Sequence, residues 1–116
     1  MKNIDFLIFE KDIINAILRA NDNTQILMKQ YAVACVKQRI YTGVGFYTDY
    51  EVMDDSLRVS NESLRLGGIE VEIAEIPNGC DFILYVENGM ISCLEGYTYA
   101  DPWPEHIKKY KIVDKG

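Results

Sequence analysis

Phe82-Ile83-Leu84-Tyr85-Val86-Glu87-Asn88-Gly89-Met90-Ile91-Ser92-Cys93-Leu94-Glu95 is the stretch that decides the fold class. Two apolar runs flank Asn88-Gly89. A type I′ turn needs positive φ at both central positions, and Asn-Gly tolerates that. A two-residue turn pairs Glu87 with Met90, Val86 with Ile91, Leu84 with Cys93 and Phe82 with Glu95. Opposed residues share a face. The expected core face is therefore Phe82, Leu84, Val86, Ile91 and Cys93, with Glu95 at its end. Ile83, Tyr85, Glu87, Met90, Ser92 and Leu94 make the more mixed face. In this register Glu95 points from the core side at a sheet edge, where a carboxylate must find donors or water.

Upstream, Ile69, Val71 and Ile73 alternate with Glu70 and Glu72, the pattern of a half-buried strand with its acids outward. Pro77-Asn78-Gly79 reads as a turn. Residues 31–41 read as a strand, Thr42-Gly43-Val44-Gly45 as a bend and Phe46 to Val52 as a further strand. Residues 53–66 are polar without clean periodicity, a long loop with room for one helical turn. At the start, Phe6, Phe9, Ile13, Ile17 and Ala20 recur at helical spacing, with Ile14 and Leu18 widening the stripe. Residues 4–9 also suit a short strand. Asn21-Asp22-Asn23 ends the helix, and Asp22 with Gln25 resembles a capping box for a second helix through Gln30. Downstream, Pro102 and Pro104 end any strand. Pro104 or Glu105 opens a predicted short helix through Tyr110, and Lys111-Ile112-Val113 suits a last edge strand. The sum is a single α+β domain, residues 1–116. Its N-terminal helix or helices pack on a mostly antiparallel sheet of about five strands, with a short C-terminal helix.

The chain has 116 residues, 48% hydrophobic and 26% charged, within the size of one domain and the composition of a folded one. Its 18 acidic and 12 basic residues give a net charge of −6, which argues against nucleic acid as a partner. No apolar run approaches the roughly 20 residues of a membrane span, and the N-terminus lacks the features of a secretory signal. Cys35, Cys80 and Cys93 are odd in number and lack a close C-x-x-C pair, which fits reduced thiols and a cytoplasmic setting. The acids are unevenly spread. Residues 51–105 hold twelve, against Arg58 and Arg65, whereas the tail after His106 holds Lys108, Lys109, Lys111 and Lys115 against Asp114.

Chemistry-bearing residues are sparse. Cys93 as nucleophile with the single His106, oriented by Asp101 or Glu95, is the one arrangement of that kind available. Cys93 falls on the apolar strand face without a local nucleophile signature, so no catalytic residue is assigned. Glu95, Asp101 and Glu105 match no metal-loop spacing; Glu95 suits a structural acceptor of backbone or tyrosine hydrogen bonds. Gly43-x-Gly45 is too short for a phosphate loop and lacks the Lys-Ser/Thr that would follow. No metal or cofactor is expected. Tyr41, Phe46, Tyr47, Tyr50, Tyr97, Tyr99 and Trp103 suit core edges and interface anchors alike.

Tyr41-Thr42-Gly43-Val44-Gly45-Phe46-Tyr47-Thr48 and Leu94-Glu95-Gly96-Tyr97-Thr98-Tyr99 with Trp103-Pro104 resemble the two marked segments of a group of small, largely uncharacterised bacterial proteins. The resemblance implies no catalytic residue. Size and acidity are also shared with immunity proteins that neutralise basic toxins. The expected function is protein binding, in its specific form an immunity-type inhibitor of a basic toxin. Glu70, Glu72, Tyr97, Tyr99 and Trp103 are then its interface residues. The alternatives are a small-ligand or hydrolytic pocket around Glu95 and His106, and a subunit that self-associates through an exposed strand.

Overall fold

The computed structural model describes residues 3–60 and 62–114. Helices α1 (Asn3–Ala20) and α2 (Gln25–Val33) come first, then strands β1 (Cys35–Tyr41) and β2 (Gly45–Glu51). A 3-10 turn (Asp55–Leu57) leads to β3 (Leu64–Leu66), β4 (Ile69–Ile73), β5 (Cys80–Glu87), β6 (Met90–Thr98) and β7 (Tyr110–Asp114). Five strands form an antiparallel sheet in the order β1-β2-β6-β5-β3, and β4 pairs with β7 in a separate ribbon. The class is α+β. Among the described residues no helix is long and apolar enough to cross a membrane.

The helical stripe does what its spacing implies. Phe6, Phe9, Ile13, Ile14, Ile17 and Leu18 of α1 are buried against the inner faces of both sheets. Each such side chain contributes about 1.5–3 kcal/mol on leaving water. Residues 4–9 are helical, and α2 runs on to Val33, so residues 31–33 belong to a helix and the strand begins at Cys35. Tyr31 packs its ring edge-on against Tyr50, a contact that alternation along the chain does not reveal. No capping box forms. Thr24 is the N-cap of α2, and its hydroxyl turns back to the Leu18 carbonyl at 2.6 Å.

The β5–β6 hairpin turns as the sequence predicts, with φ of 53° at Asn88 and 78° at Gly89. Glu87 pairs with Met90 and Val86 with Ile91. One step later the register shifts. Tyr85 pairs with Cys93, Leu84 with Leu94, Ile83 with Glu95 and Phe82 with Gly96. Ser92 is the extra residue of a β-bulge, which flips every following side chain of β6 to the other face. Leu94 is therefore wholly buried, whereas Cys93 and Glu95 stand on the outer face, opposite to the straight-ladder expectation. The environment accounts for the bulge. The buried Gln30 side chain accepts from the Ile91 N–H at 2.8 Å and donates to the carbonyls of Gly89 and Leu57. It thereby fixes the start of β6 beyond the last residue paired to β2.

The C-terminal helix is absent. Residues 102–109 form an irregular segment, and the chain then pairs with β4 from Tyr110 onward. Proline disfavours helical backbone in the residue before it, which works against a helix at Asp101 and Trp103. Ile107, Tyr110 and Ile112 pack against the core, and the last two lie at strand period, not helical period. Lys115 lies outside the described residues.

The two marked segments turn out to be paired strands. Gly45 faces Tyr97 and Phe46 faces Gly96 across β2 and β6. A Cβ on Gly96 would lie 2.7 Å from the Phe82 ring and closer still to that of Phe46. Glycine there lets Phe46, Phe82 and Trp103 meet at centroid separations of 5.1–6.3 Å. Trp103 is tied down by its backbone N–H, which donates to the Gly43 carbonyl at 2.8 Å.

Candidate functional site

Both helices pack on the inner side, and among the described residues no helix covers the outer face of the five-stranded sheet. Strand alternation lines it with Tyr47, Asp49 and Glu51 of β2, with Cys93, Glu95 and Tyr97 of β6, and with Asp81, Ile83, Tyr85 and Glu87 of β5. Arg65 of β3, opposite Tyr85, is the one cation that β2, β3, β5 and β6 carry between them. Five carboxylates thus share a surface with three tyrosines.

Glu95 sits at the middle of this surface. It accepts a hydrogen bond from the Tyr85 hydroxyl at 2.7 Å, and it lies directly across the strand pair from Tyr47. Hydrogen bonding to Glu95, then burial and the charge of the same carboxylate, push the Tyr85 phenol up to about 12. Glu95 likewise raises the Tyr47 phenol, by hydrogen bonding first and charge second. Both phenols are kept protonated beside one carboxylate, with Tyr85 the donor at hydrogen-bond distance. The Arg65 guanidinium stands 5.5 Å from the Tyr85 ring centroid, a cation–π contact. Further along, Tyr97 and Tyr99 meet edge-on at 6.0 Å, and the Tyr97 hydroxyl reaches Asp81 at 3.5 Å.

The expected interface residues divide into three places. Tyr97 lies on the outer face. Tyr99, 61% exposed, lines a shallow groove of about 260 Å³ together with Glu70 and Glu72 of β4. Those two glutamates are exposed and face Val113 and Lys111 of β7. Trp103 is partly buried, its ring packed against Phe9, Phe46 and Phe82 at the edge of the core. Tyr85 and Asp49 join the site unforeseen, and Tyr47, one of the aromatics suited to core edges or interfaces, comes beside Glu95, because the strand order and the bulge place them there.

The catalytic arrangement is not assembled. His106 is exposed in the irregular segment before β7. The Cys93 thiol is pushed up to about 12 by burial and by donation to Asp49, the reverse of the lowered value a nucleophile needs. Asp101 accepts from the Asn78 backbone and side-chain amides, both at 2.9 Å. Among the described residues no three His, Cys, Asp or Glu side chains converge on a metal-sized site.

A second polar cluster lies on the inner side. Glu10 is 1% exposed on α1. It accepts from Arg39 Nε and Nη2 at 3.1 and 2.7 Å and from the Thr48 hydroxyl. The paired guanidinium, bidentate and lying 5.6 Å from the Phe6 ring centroid, satisfies a charge that would otherwise be costly to bury. In the sequence, the sole sign of this pair is an acid interrupting an apolar stripe.

No protein-family model, curated protein or solved structure matches the chain.

Proposed function

We propose that the chain is a protein-binding domain whose outer sheet face docks a basic surface of another protein. The observation that carries this reading is Glu95, bracketed by Tyr85 and Tyr47 on a sheet face without a covering helix. A lysine or arginine of the partner would meet the carboxylate with aromatic rings on either side. The surrounding Asp49, Glu51, Asp81 and Glu87 would speed encounter and reject acidic partners. In its more specific form, the domain is an immunity-type inhibitor that neutralises a basic toxin, in keeping with its size and its net charge of −6.

Self-association through a strand edge is the less favoured reading. The β1 edge carries Lys37 at a bulge, between the pairs Val36–Tyr50 and Gln38–Asp49, and the opposite edge strand β3 has three residues. Lysines, bulges and short strands are the devices that discourage edge pairing.

Affinity capture from the native host tests the proposal, with the wild-type chain and a Glu95→Lys/Asp49→Lys variant as baits at two salt concentrations. A basic protein retained by wild type, lost by the variant and weakened by salt is expected. Identical captures by both baits, unaffected by salt, would overturn it.

A further inference from the structure

On the side opposite the docking face, Leu7, Glu10, Lys11 and Asn15 of α1, Met28, Tyr31 and Ala32 of α2, Ala34, Val36 of β1 and Tyr50 of β2 line a groove of about 420 Å³. That volume falls within the range of small-molecule sites. Polar and apolar side chains share its walls, and Leu7, Met28 and Val36 are exposed there at 45%, 38% and 38%, so hydrocarbon surface stands in water ready to be covered. Tyr50 is 93% withdrawn from solvent, and among the described residues its buried hydroxyl has no hydrogen-bond partner. Hydrogen bonding toward the Tyr31 hydroxyl is among the causes that raise the Tyr50 phenol, but the contact falls short of hydrogen-bond geometry and leaves the hydroxyl open to a better acceptor. A buried donor without an acceptor is costly, and a ligand is one way to supply that acceptor.

We propose that this groove binds a small amphipathic molecule, its alkyl part over Leu7, Met28 and Val36 and an uncharged carbonyl oxygen accepting the Tyr50 hydroxyl proton. At the Tyr50 end neither ion finds a free partner, because Arg39 already holds both Glu10 carboxylate oxygens; an anion drawn instead to Lys11 on the α1 wall would leave the Tyr50 hydroxyl unpaired. Burial and the Glu10 charge raise the Tyr50 phenol and keep it a donor at every physiological pH. Lys11 and Asn15 come from the α1 wall. This site is independent of the docking face, so the two proposals stand or fall separately.

The test is an NMR titration of the full chain, labelled with nitrogen-15, with octanamide, octanoate and octylammonium as probes. Octanamide should give saturable shifts at Met28, Tyr31, Ala32, Val36 and Tyr50 and bind more tightly than either ion. Tyr50→Phe should fold normally, because it removes a group with no partner, and should weaken octanamide about fivefold. Ala32→Trp, at an exposed position on the wall, should block the groove and abolish the shifts without unfolding the protein. The proposal is overturned if no probe shifts these residues, if head-group charge makes no difference, or if octanamide binds equally after either substitution.

Discussion

The bulge at Ser92 makes a quantitative prediction about three consecutive residues. Leu94 has no exposed surface and faces Leu84 across the strand pair. Leu94→Ala should therefore cost about 2–5 kcal/mol, the transfer term plus the cavity left behind. Domains of this size are stable by about 5–15 kcal/mol, so the loss should move the denaturation midpoint far. Cys93 and Glu95 stand on the outer face. Cys93→Ala should stay within about 1 kcal/mol, and Glu95→Ala should cost about 1 kcal/mol through the lost Tyr85 hydrogen bond. A straight ladder reverses this order, since it places Cys93 and Glu95 inside and Leu94 outside. Deleting Ser92 sharpens the contrast. It removes the extra residue and leaves the pairs Val86–Ile91, Tyr85–Cys93 and Leu84–Leu94 contiguous, so the fold should survive. Urea denaturation followed by the fluorescence of Trp103, the chain's one tryptophan, reads all four variants. A Leu94→Ala loss below about 0.5 kcal/mol, with a larger loss at Cys93, would refute the register, as would an unfolded Ser92 deletion.

Gly96→Ala pushes a methyl into the rings of Phe46 and Phe82 and should cost about 1–3 kcal/mol by overpacking, read in a thermal melt. Arg39→Met strands the Glu10 carboxylate in the core and should cost about 3–5 kcal/mol in urea denaturation, whereas the double variant Glu10→Leu/Arg39→Met should recover much of that loss. The phenols of Tyr31 and Tyr110 are raised to about 12, mainly by burial. Their folded-state values exceed the unfolded value near 10, so their contribution is full below pH 10 and is lost as pH rises through 12. Circular dichroism against pH should show unfolding in that alkaline window, coincident with tyrosinate absorbance.

Local chemistry made much of the fold legible. The period-two runs at Ile69–Ile73 and around Asn88-Gly89 are strands, and the helical stripe of residues 6–20 is a buried helix face. What escaped was set at long range. Gln30 at the start of β6 and the packing around Phe46, Gly96 and Trp103 establish a register that alternation alone does not encode. That one-residue slip turned Glu95 from an expected core-side carboxylate into the centre of an exposed acidic surface. Trp103 suits a core edge and an interface anchor alike by composition, and the glycine opposite Phe46 lets its ring pack, partly buried, against the core. The Glu10–Arg39 pair joins residues 29 apart, across a helix and a strand that no local pattern links. The missing C-terminal helix has the same origin, because β4 offers Tyr110–Asp114 a partner that its local sequence does not announce.

The proposed docking face is probed by titrating the labelled chain with a short arginine-rich peptide and mapping amide shifts by NMR. Shifts should concentrate at Tyr47, Asp49, Tyr85, Glu95 and Tyr97, weaken with salt and vanish there in Glu95→Gln. Shifts confined to Glu70 and Glu72 or to Asp54 and Asp55, with the sheet face unmoved, would contradict it.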